Sequence, residues 1–352
     1  MSPFIFQSRI PRVVFGAGSL VHLEREIDQL GAKRALVLST PEQRAAAEDI
    51  ARRLGERCVG IFDRAVMHVP IETARSAREE ASRLGADCAV AIGGGSTTGL
   101  GKAIALESSL PILAIPTTYA GSEMTPIWGI TEAGIKKTGR DPRVLPRTVI
   151  YDPTLTLSLP VKLSITSAIN AIAHAAEGLY AQDADPIHSL LAEEGIRALA
   201  AGLPKVVAAP GDADARGDCL YGAWLCGTVL GAVGMSLHHK LCHTLGGTFN
   251  LPHAETHTIV LPHALAYNAA AAPEAIRRIA RALGKSDAAQ GIFDLASALG
   301  APVALKDLGM PADGLDLAAD LATTNTYWNP RPLDRNAIRQ LLQDAWEGKR
   351  PR

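Results

Sequence analysis

The chain contains no Cys-x-x-Cys pair. Its five cysteines, Cys58, Cys88, Cys219, Cys226 and Cys242, are odd in number and scattered over 352 residues. That excludes a disulfide-stapled scaffold, which short secreted chains need and long ones do not, and it points to a reducing cytoplasm. Charge of one sign is never concentrated. Lys and Arg number 35 against 36 Asp and Glu, and the net charge is −1. A nucleic-acid surface and a polybasic membrane patch are therefore not expected, and short clusters such as Lys136-Lys137 read as solvated. The start, MSPFIFQSRIP, lacks a long apolar stretch behind a basic region, so no signal peptide is expected. No internal repeat or low-complexity tract stands out. The longest charge-free stretch, Cys219 to Leu237, has nearly the length of a membrane span. It is isolated, rich in Gly and Ala, and followed at once by His238, His239 and Lys240, which reads as a buried core helix.

What is present is an ordinary globular composition, 47% hydrophobic and 20% charged, in a chain long enough for two domains. Compact apolar runs recur through the first part: Ile10–Phe15, Arg34–Ser39, Cys58–Phe62, Ala86–Ile92, Leu110–Ile115 and Thr148–Tyr151. Helical stretches separate them, one opening at Pro41 and one over Ile71–Leu84. This alternation predicts an α/β domain with a mostly parallel sheet covered on both faces. From about Leu155 the strands give way to Ala/Leu-rich helical patterns such as Ile165–Ala181, Pro186–Ala201 and Glu274–Leu283. The expected division is a dinucleotide-binding domain over 1–154 and an all-helical catalytic domain over 155–352.

Three motifs carry chemistry. The first, Gly93-Gly94-Gly95-Ser96-Thr97-Thr98-Gly99, follows a strand and opens a helix. Glycines there let the backbone approach a ligand, and a helix N-terminus offers unpaired N–H groups and a favourable dipole to a pyrophosphate. It is neither the GxGxxG fingerprint nor a P-loop, since Lys102 is followed by Ala103. The second, Thr117-Thr118-Tyr119-Ala120-Gly121-Ser122-Glu123, places hydroxyls and glycine at the end of the next strand, where a cofactor crevice belongs. The third is a set of histidines. Asn170 and His174 share one helix face at i, i+4; His239 and His243 repeat that spacing; His253 follows ten residues later. Together these predict a polar or metal-type site. His238, His257 and His263 read as structural or peripheral.

In this order and spacing the three motifs resemble those of the iron-containing alcohol dehydrogenases, and the resemblance covers essentially the whole chain. It implies an N-terminal nicotinamide-binding α/β domain, an all-helical C-terminal domain and an active site in the cleft between them. The family's metal ligands, Asp, His and two further His, fall on Asn170, His174, His239 and His253, and a further family histidine near the reacting centre falls on His243. The resemblance places the cofactor on Gly93, Gly94, Gly95, Ser96, Thr97, Thr117, Thr118, Ser122, Lys136 and Leu155. Two positions depart from the family pattern. Gly99 replaces the acid of GGGSxxDxxK, and Asn170 replaces the aspartate ligand. An amide oxygen brings no charge, so a divalent cation would be left with neutral ligands, and the expectation is that no metal is required.

GGGSTTGLGKA, PTTYAGSEMTPIWG, KTGRDPRVLPRTVIYDP and NAIAHAAEGLYA resemble one branch in particular. That branch reduces the carbon–carbon double bond of 2-maleylacetate to 3-oxoadipate in the bacterial breakdown of aromatic rings. The resemblance implies NADH as cofactor, with NADPH possible because Ser39-Thr40-Pro41 offers no acid against a 2′-phosphate. It also implies a small dicarboxylate substrate and a homodimer. The catalytic set expected is His243 as proton donor, with His174, His239 and His253, and Asn170 and Lys240 join these in binding substrate. Two rival readings stay open: a metal-dependent alcohol dehydrogenase of the same fold, and a non-catalytic nicotinamide-binding sensor.

Overall fold

The apolar runs of the first part assemble into one parallel sheet in the computed structural model, which describes Phe4, Phe6, residues 10–133 and residues 135–352. Most of the N-terminal stretch read above for a signal peptide lies outside the described residues. The strands are β1 (Arg12–Phe15), β2 (Ala35–Leu38), β3 (Cys58–Phe62), β4 (Cys88–Gly93) and β5 (Ile112–Pro116). A hairpin of β6 (Ile127–Glu132) and β7 (Ile135–Arg140) follows, then β8 (Thr148–Tyr151) returns to the sheet. The sheet order is β1-β8-β5-β4-β2-β3. Helices α1 (Leu23–Gln29), α2 (Arg44–Leu54), α3 (Ile71–Arg83) and α4 (Gly95–Ser108) cover it.

Strands β2, β4, β5 and β8 are buried at every position, which is why their sequences show no polar alternation. The two-residue period survives inside the core. Leu36, Leu38, Ala89 and Ala91 pack into one layer with Ile104 of α4, while Ala35, Val37, Val90 and Ile92 pack into the other with Ile27 and Ile50 of α1 and α2. The sequence reading did not include the antiparallel hairpin β6–β7. Both strands lie off the main sheet; Ile130 and Trp128 of β6 pack against the core, whereas β7 is mostly solvent-facing and carries Lys136, Lys137 and Arg140 rather than an apolar run.

The contacts divide the described chain into two units: one within Arg9–Leu159, the other Pro160–Arg352 with the described residues of Met1–Ser8. The division falls a few residues after the expected 154/155. In between, Asp152 caps the turn Pro153–Thr156, which belongs with the sheet unit. The second unit is helical throughout its described residues: α5 (Val161–Leu179), α6 (Pro186–Ala208), α7 (Ala213–Ala232), α8 (Leu237–Phe249), α9 (His253–Asn268), α10 (Pro273–Leu283), α11 (Ala288–Ala298), α12 (Gly314–Ala322) and α13 (Arg335–Glu347). Helices α6 and α7 press backbone to backbone. A Cβ on Gly195 would stand 2.7 Å from the Cys226 sulfur, and one on Gly222 2.7 Å from Leu199.

The charge-free stretch is not one helix. Helix α7 ends at Ala232, and α8 leaves at 94° to it. Among the described residues no single helix is long and apolar enough to cross a membrane. Cys219, Leu220, Ala223 and Cys226 of α7 are buried within the unit. Helices α5, α8 and α9 bring the histidines together.

Candidate active site

In the sheet unit, β4 ends at Gly93, whose φ of +147° is open to glycine alone. A side chain there would collide with Gln43 and Thr97, each 2.5 Å from where its Cβ would stand. Gly94, by contrast, is extended at −93° and serves as the N-cap of α4 without a side-chain cap. The first N–H groups of α4 thus keep no side-chain partner, the condition for an anion site. Gly95 is exposed, Ser96 half-buried, and Thr97 and Thr98 are buried. The second loop packs against the first. Thr117 N–H donates to the Gly93 carbonyl at 3.0 Å, and Thr118 would touch a Cβ on Gly94 at 3.0 Å. Gln43, just past β2, donates to the Thr117 hydroxyl at 2.7 Å. The carboxyl ends of β2, β4 and β5 therefore converge where the strand order reverses, the usual place for a nucleotide in such a sheet.

Ser122 is held from below: its carbonyl and hydroxyl both accept from the Lys102 ammonium. Lys136 stands on the exposed side of β7, near enough to His68 for its charge to hold that imidazole low, after burial. Leu155 packs against the α1/α2 face of the core. Gly99 has a local reason to lack a side chain, since a Cβ would meet Val69 at 2.9 Å.

In the helical unit, Asn170 and His174 are buried on α5, His239 and His243 lie on α8, and His253 begins α9. The His174 and His239 rings are 5.2 Å apart, and His239 and His243 6.1 Å. Lys240, half-buried on α8, follows His239. Two histidines set aside in the sequence belong to this group. His257 stands between the others, 5.0 Å from His239, 4.3 Å from His253 and 6.5 Å from His174 by ring centroids. His238 bonds it, Nε2 to Nδ1, at 2.9 Å. The spacing His253-x-x-x-His257 is the same i, i+4 signal used for the other pairs and could have found it. His263, two turns beyond His257 on α9, is buried apart from the cluster, with burial pushing it down to about 4.

Glu177 was missed altogether, although Asn170, His174 and Glu177 run i, i+4, i+7 on one helix face. Its carboxylate is completely buried. It accepts from the N–H groups of Ser236 at 2.7 Å and His238 at 2.8 Å, and from His239 Nδ1 at 2.7 Å. It thereby caps α8, whose own N-cap Ser236 provides no side-chain bond. It also commits His239 Nδ1 as a donor, leaving Nε2 toward the cluster. Tyr327 is the other omission. Its hydroxyl lies 3.0 Å from Nδ1 of the exposed His243, and it comes from an irregular segment with no periodic signal.

Four buried polar atoms here have no hydrogen-bond partner: Asn170 Oδ1, His174 Nδ1, His239 Nε2 and His257 Nε2. Buried polar atoms are almost always paired, so four orphans in one cluster mark a binding site for a polar ligand. Burial, reinforced by neighbouring imidazoles, holds His174, His238 and His257 well below the usual histidine range, so they are neutral near pH 7.

These donors test the metal that the motif implies. Asn170 and the histidines bring no negative charge as ligands, and the nearest carboxylate, Glu177, is already occupied by N–H donors. A divalent cation among them would lack an anionic ligand, so the set does not fit a tightly held iron site. His238, His257 and Cys242 also lie close together. The two imidazoles bond each other, and burial holds the Cys242 thiol well above its usual range, away from the thiolate a metal needs.

Comparison with known proteins agrees with this architecture. The model of the iron-containing alcohol dehydrogenase family matches residues 11–153, and that of the Fe-containing alcohol dehydrogenase C-terminal region matches 164–346. The chain belongs to the iron-containing alcohol dehydrogenase family and is an oxidoreductase. Within the family it groups with the maleylacetate reductases. It is 69% identical over 351 residues, all of both chains, to the maleylacetate reductase of Burkholderia cepacia. The crystal structure of maleylacetate reductase from Agrobacterium tumefaciens superposes with a TM-score of 0.97 at 57% identity, covering all of both chains. More distantly, sulfoacetaldehyde reductase from Bifidobacterium kashiwanohense, solved in complex with NAD+, shares the fold at 21% identity, with a TM-score of 0.90 over 98% of this chain and 99% of that one.

Proposed function

We propose that this enzyme reduces the carbon–carbon double bond of 2-maleylacetate to 3-oxoadipate with NADH, that residues 1–154 together with Leu155 bind the cofactor, and that the helical residues beyond supply the catalytic groups. The observation that carries the reading is the histidine cluster with four unpartnered polar atoms and no free carboxylate, in a chain 69% identical to a maleylacetate reductase. Such a cluster suits a substrate that is itself anionic.

Gly93, Gly94, Gly95, Ser96 and Thr97 receive the pyrophosphate at the start of α4, and Thr117, Thr118, Ser122, Lys136 and Leu155 complete the cofactor site. Glu42, on the turn after β2, supports NADH over NADPH. Its own backbone N–H and the Thr40 hydroxyl hold its carboxyl low, so it is an anion at neutral pH and opposes a 2′-phosphate. Bound there, the reduced nicotinamide supplies a hydride to the alkene carbon β to the ketone. The electron pair of the double bond moves toward the ketone oxygen, giving an enolate. N–H donors of His174 and His253 stabilise that oxygen, the role a preorganised oxyanion site performs, and His239, whose Nδ1–H is given to Glu177, lines the same site. His243, oriented by Tyr327, delivers a proton to the carbon α to the ketone, and its exposure lets it be recharged from solvent. Asn170 and Lys240 bind the carboxylates. Hydride plus proton balance the reduction, and no metal is required.

All five cysteines are free thiols, in keeping with a cytoplasmic enzyme, which we take to act as a homodimer. The test is NADH oxidation with purified protein. Consumption of NADH on adding maleylacetate, with 3-oxoadipate formed in equal amount, is expected. Robust oxidation of simple alcohols without turnover of maleylacetate would overturn the reading.

A further inference from the structure

Lys102 is the most enclosed lysine among the described residues, with 1% of its surface exposed, and of the residues assigned roles above it bonds only Ser122. It sits on α4, two turns after the glycine loop. Its ammonium donates to the Ser122 carbonyl at 2.6 Å, the Ile127 carbonyl at 2.8 Å and the Thr125 hydroxyl at 2.9 Å, with the Ser122 hydroxyl a fourth acceptor at 3.2 Å. Three hydrogens meet three short acceptors, so the geometry is that of a charged amine; a neutral one has only two to give. The acceptors all belong to the end of the second cofactor loop and the start of β6. The other end of that loop is tied to the glycine loop through Thr117 N–H and the Gly93 carbonyl. Thr118 packs over Gly94 within van der Waals reach of any added Cβ.

We infer that Lys102 is a positioning residue for the nicotinamide cofactor: its ammonium, anchored on the helix whose N-terminus meets the pyrophosphate, clamps the Thr117–Ile127 loop into the shape that closes the cofactor site. This rests on the assignment of the glycine loop to the cofactor and extends it to a residue that never touches the ligand.

The clamp carries a built-in pH dependence. Burial pushes Lys102 down to about 7, while the carboxylate of Glu123 opposes the fall. Glu123 is itself buried and bonded by the Tyr151 hydroxyl at 2.7 Å, and burial raises it. On the other elements packed on α4, Arg78 pairs with Glu107 and Arg143 with Asp141, so neither cation is directed at Lys102. As pH rises through 7, Lys102 loses its proton, one of three short bonds loses its hydrogen, and the loop loosens.

The experiment measures NADH dissociation constants by fluorescence titration, without substrate, from about pH 6 to pH 9. For the wild type, binding weakens as pH rises through neutrality. For Lys102→Met, binding at pH 6 is weaker by about tenfold or more, the pH dependence is lost, and kcat at saturating NADH changes much less than KM. Thr125→Val removes one acceptor at nearly constant volume and serves if the Met variant does not fold; it weakens binding severalfold. A flat wild-type profile overturns the proposal, as does a folded Lys102→Met or Thr125→Val protein that binds NADH like the wild type. A wild type that does not bind NADH at all overturns the cofactor assignment and this proposal with it, whereas failure on maleylacetate alone leaves the clamp standing.

Discussion

Replacing Glu177 by Gln tests whether one buried carboxylate both builds α8 and sets His239. In the native protein Oε2 accepts from Ser236 N–H and His239 Nδ1 at 2.7 Å each, and Oε1 accepts from His238 N–H at 2.8 Å. An amide keeps only one acceptor oxygen. Its NH2 then faces donors, and at least one backbone N–H is left buried and unpaired. Each hydrogen bond to a charged group contributes about 1.5–3 kcal/mol net, and an orphaned buried donor costs about 1–3 kcal/mol. These overlap rather than add, so the expected destabilisation is about 3 kcal/mol, which lowers the melting temperature by on the order of 10 °C. The same change frees the His239 ring from its fixed tautomer, and kcat for maleylacetate reduction is expected to fall on the order of tenfold, the size seen when an orienting partner is lost. Thermal unfolding followed by circular dichroism reads the first effect. Steady-state kinetics below the melting range reads the second. A Gln variant that melts with the wild type and keeps its kcat refutes the assignment of both roles.

Gly93→Ala places a methyl 2.5 Å from Gln43 and Thr97 at a φ of +147°, so NADH affinity should drop by about tenfold or more, measured by fluorescence titration, with little change in kcat at saturating cofactor. His243→Ala should slow maleylacetate turnover by about a hundredfold while NADH binding stays at the wild-type value, and Tyr327→Phe, which removes only the hydroxyl at 3.0 Å, should cost less; full turnover by the Ala variant removes His243 as proton donor. Dialysis against a chelator should leave maleylacetate reduction intact, and Asn170→Asp should raise zinc affinity, measured by calorimetry, without being needed for activity. Activity that disappears on chelation and returns with added metal reverses that view.

The sequence by itself determined the class of fold and marked out the two loops proposed for the cofactor. Apolar runs such as Ala35–Leu38 and Ile112–Pro116 are local signals, because a strand buried on both faces must be apolar throughout. The glycine loop is equally local, since turn geometry at a strand end is written in a few adjacent residues. The Asn170/His174 pair on α5 and the His239/His243 pair on α8 were legible for the same reason: one helix turn spaces each.

Only the tertiary structure decided what those residues meet. Glu177 is a carboxylate on a helix face until α8 is brought to it, and nothing local says that it will cap that helix 59 residues later. His257 and His238 become part of the cluster because α8 and α9 cross there, and Tyr327 reaches His243 from 84 residues away. Lys102 looked like a failed P-loop lysine and became the pin of a neighbouring loop, because its acceptors come from a turn 20 to 25 residues on. Gly99, a departure from the family pattern in sequence, is explained by Val69, which the loop after β3 places 2.9 Å from its missing Cβ. Short-range periodicity records which face of an element is buried; it does not record which distant side chain fills the other half of a contact.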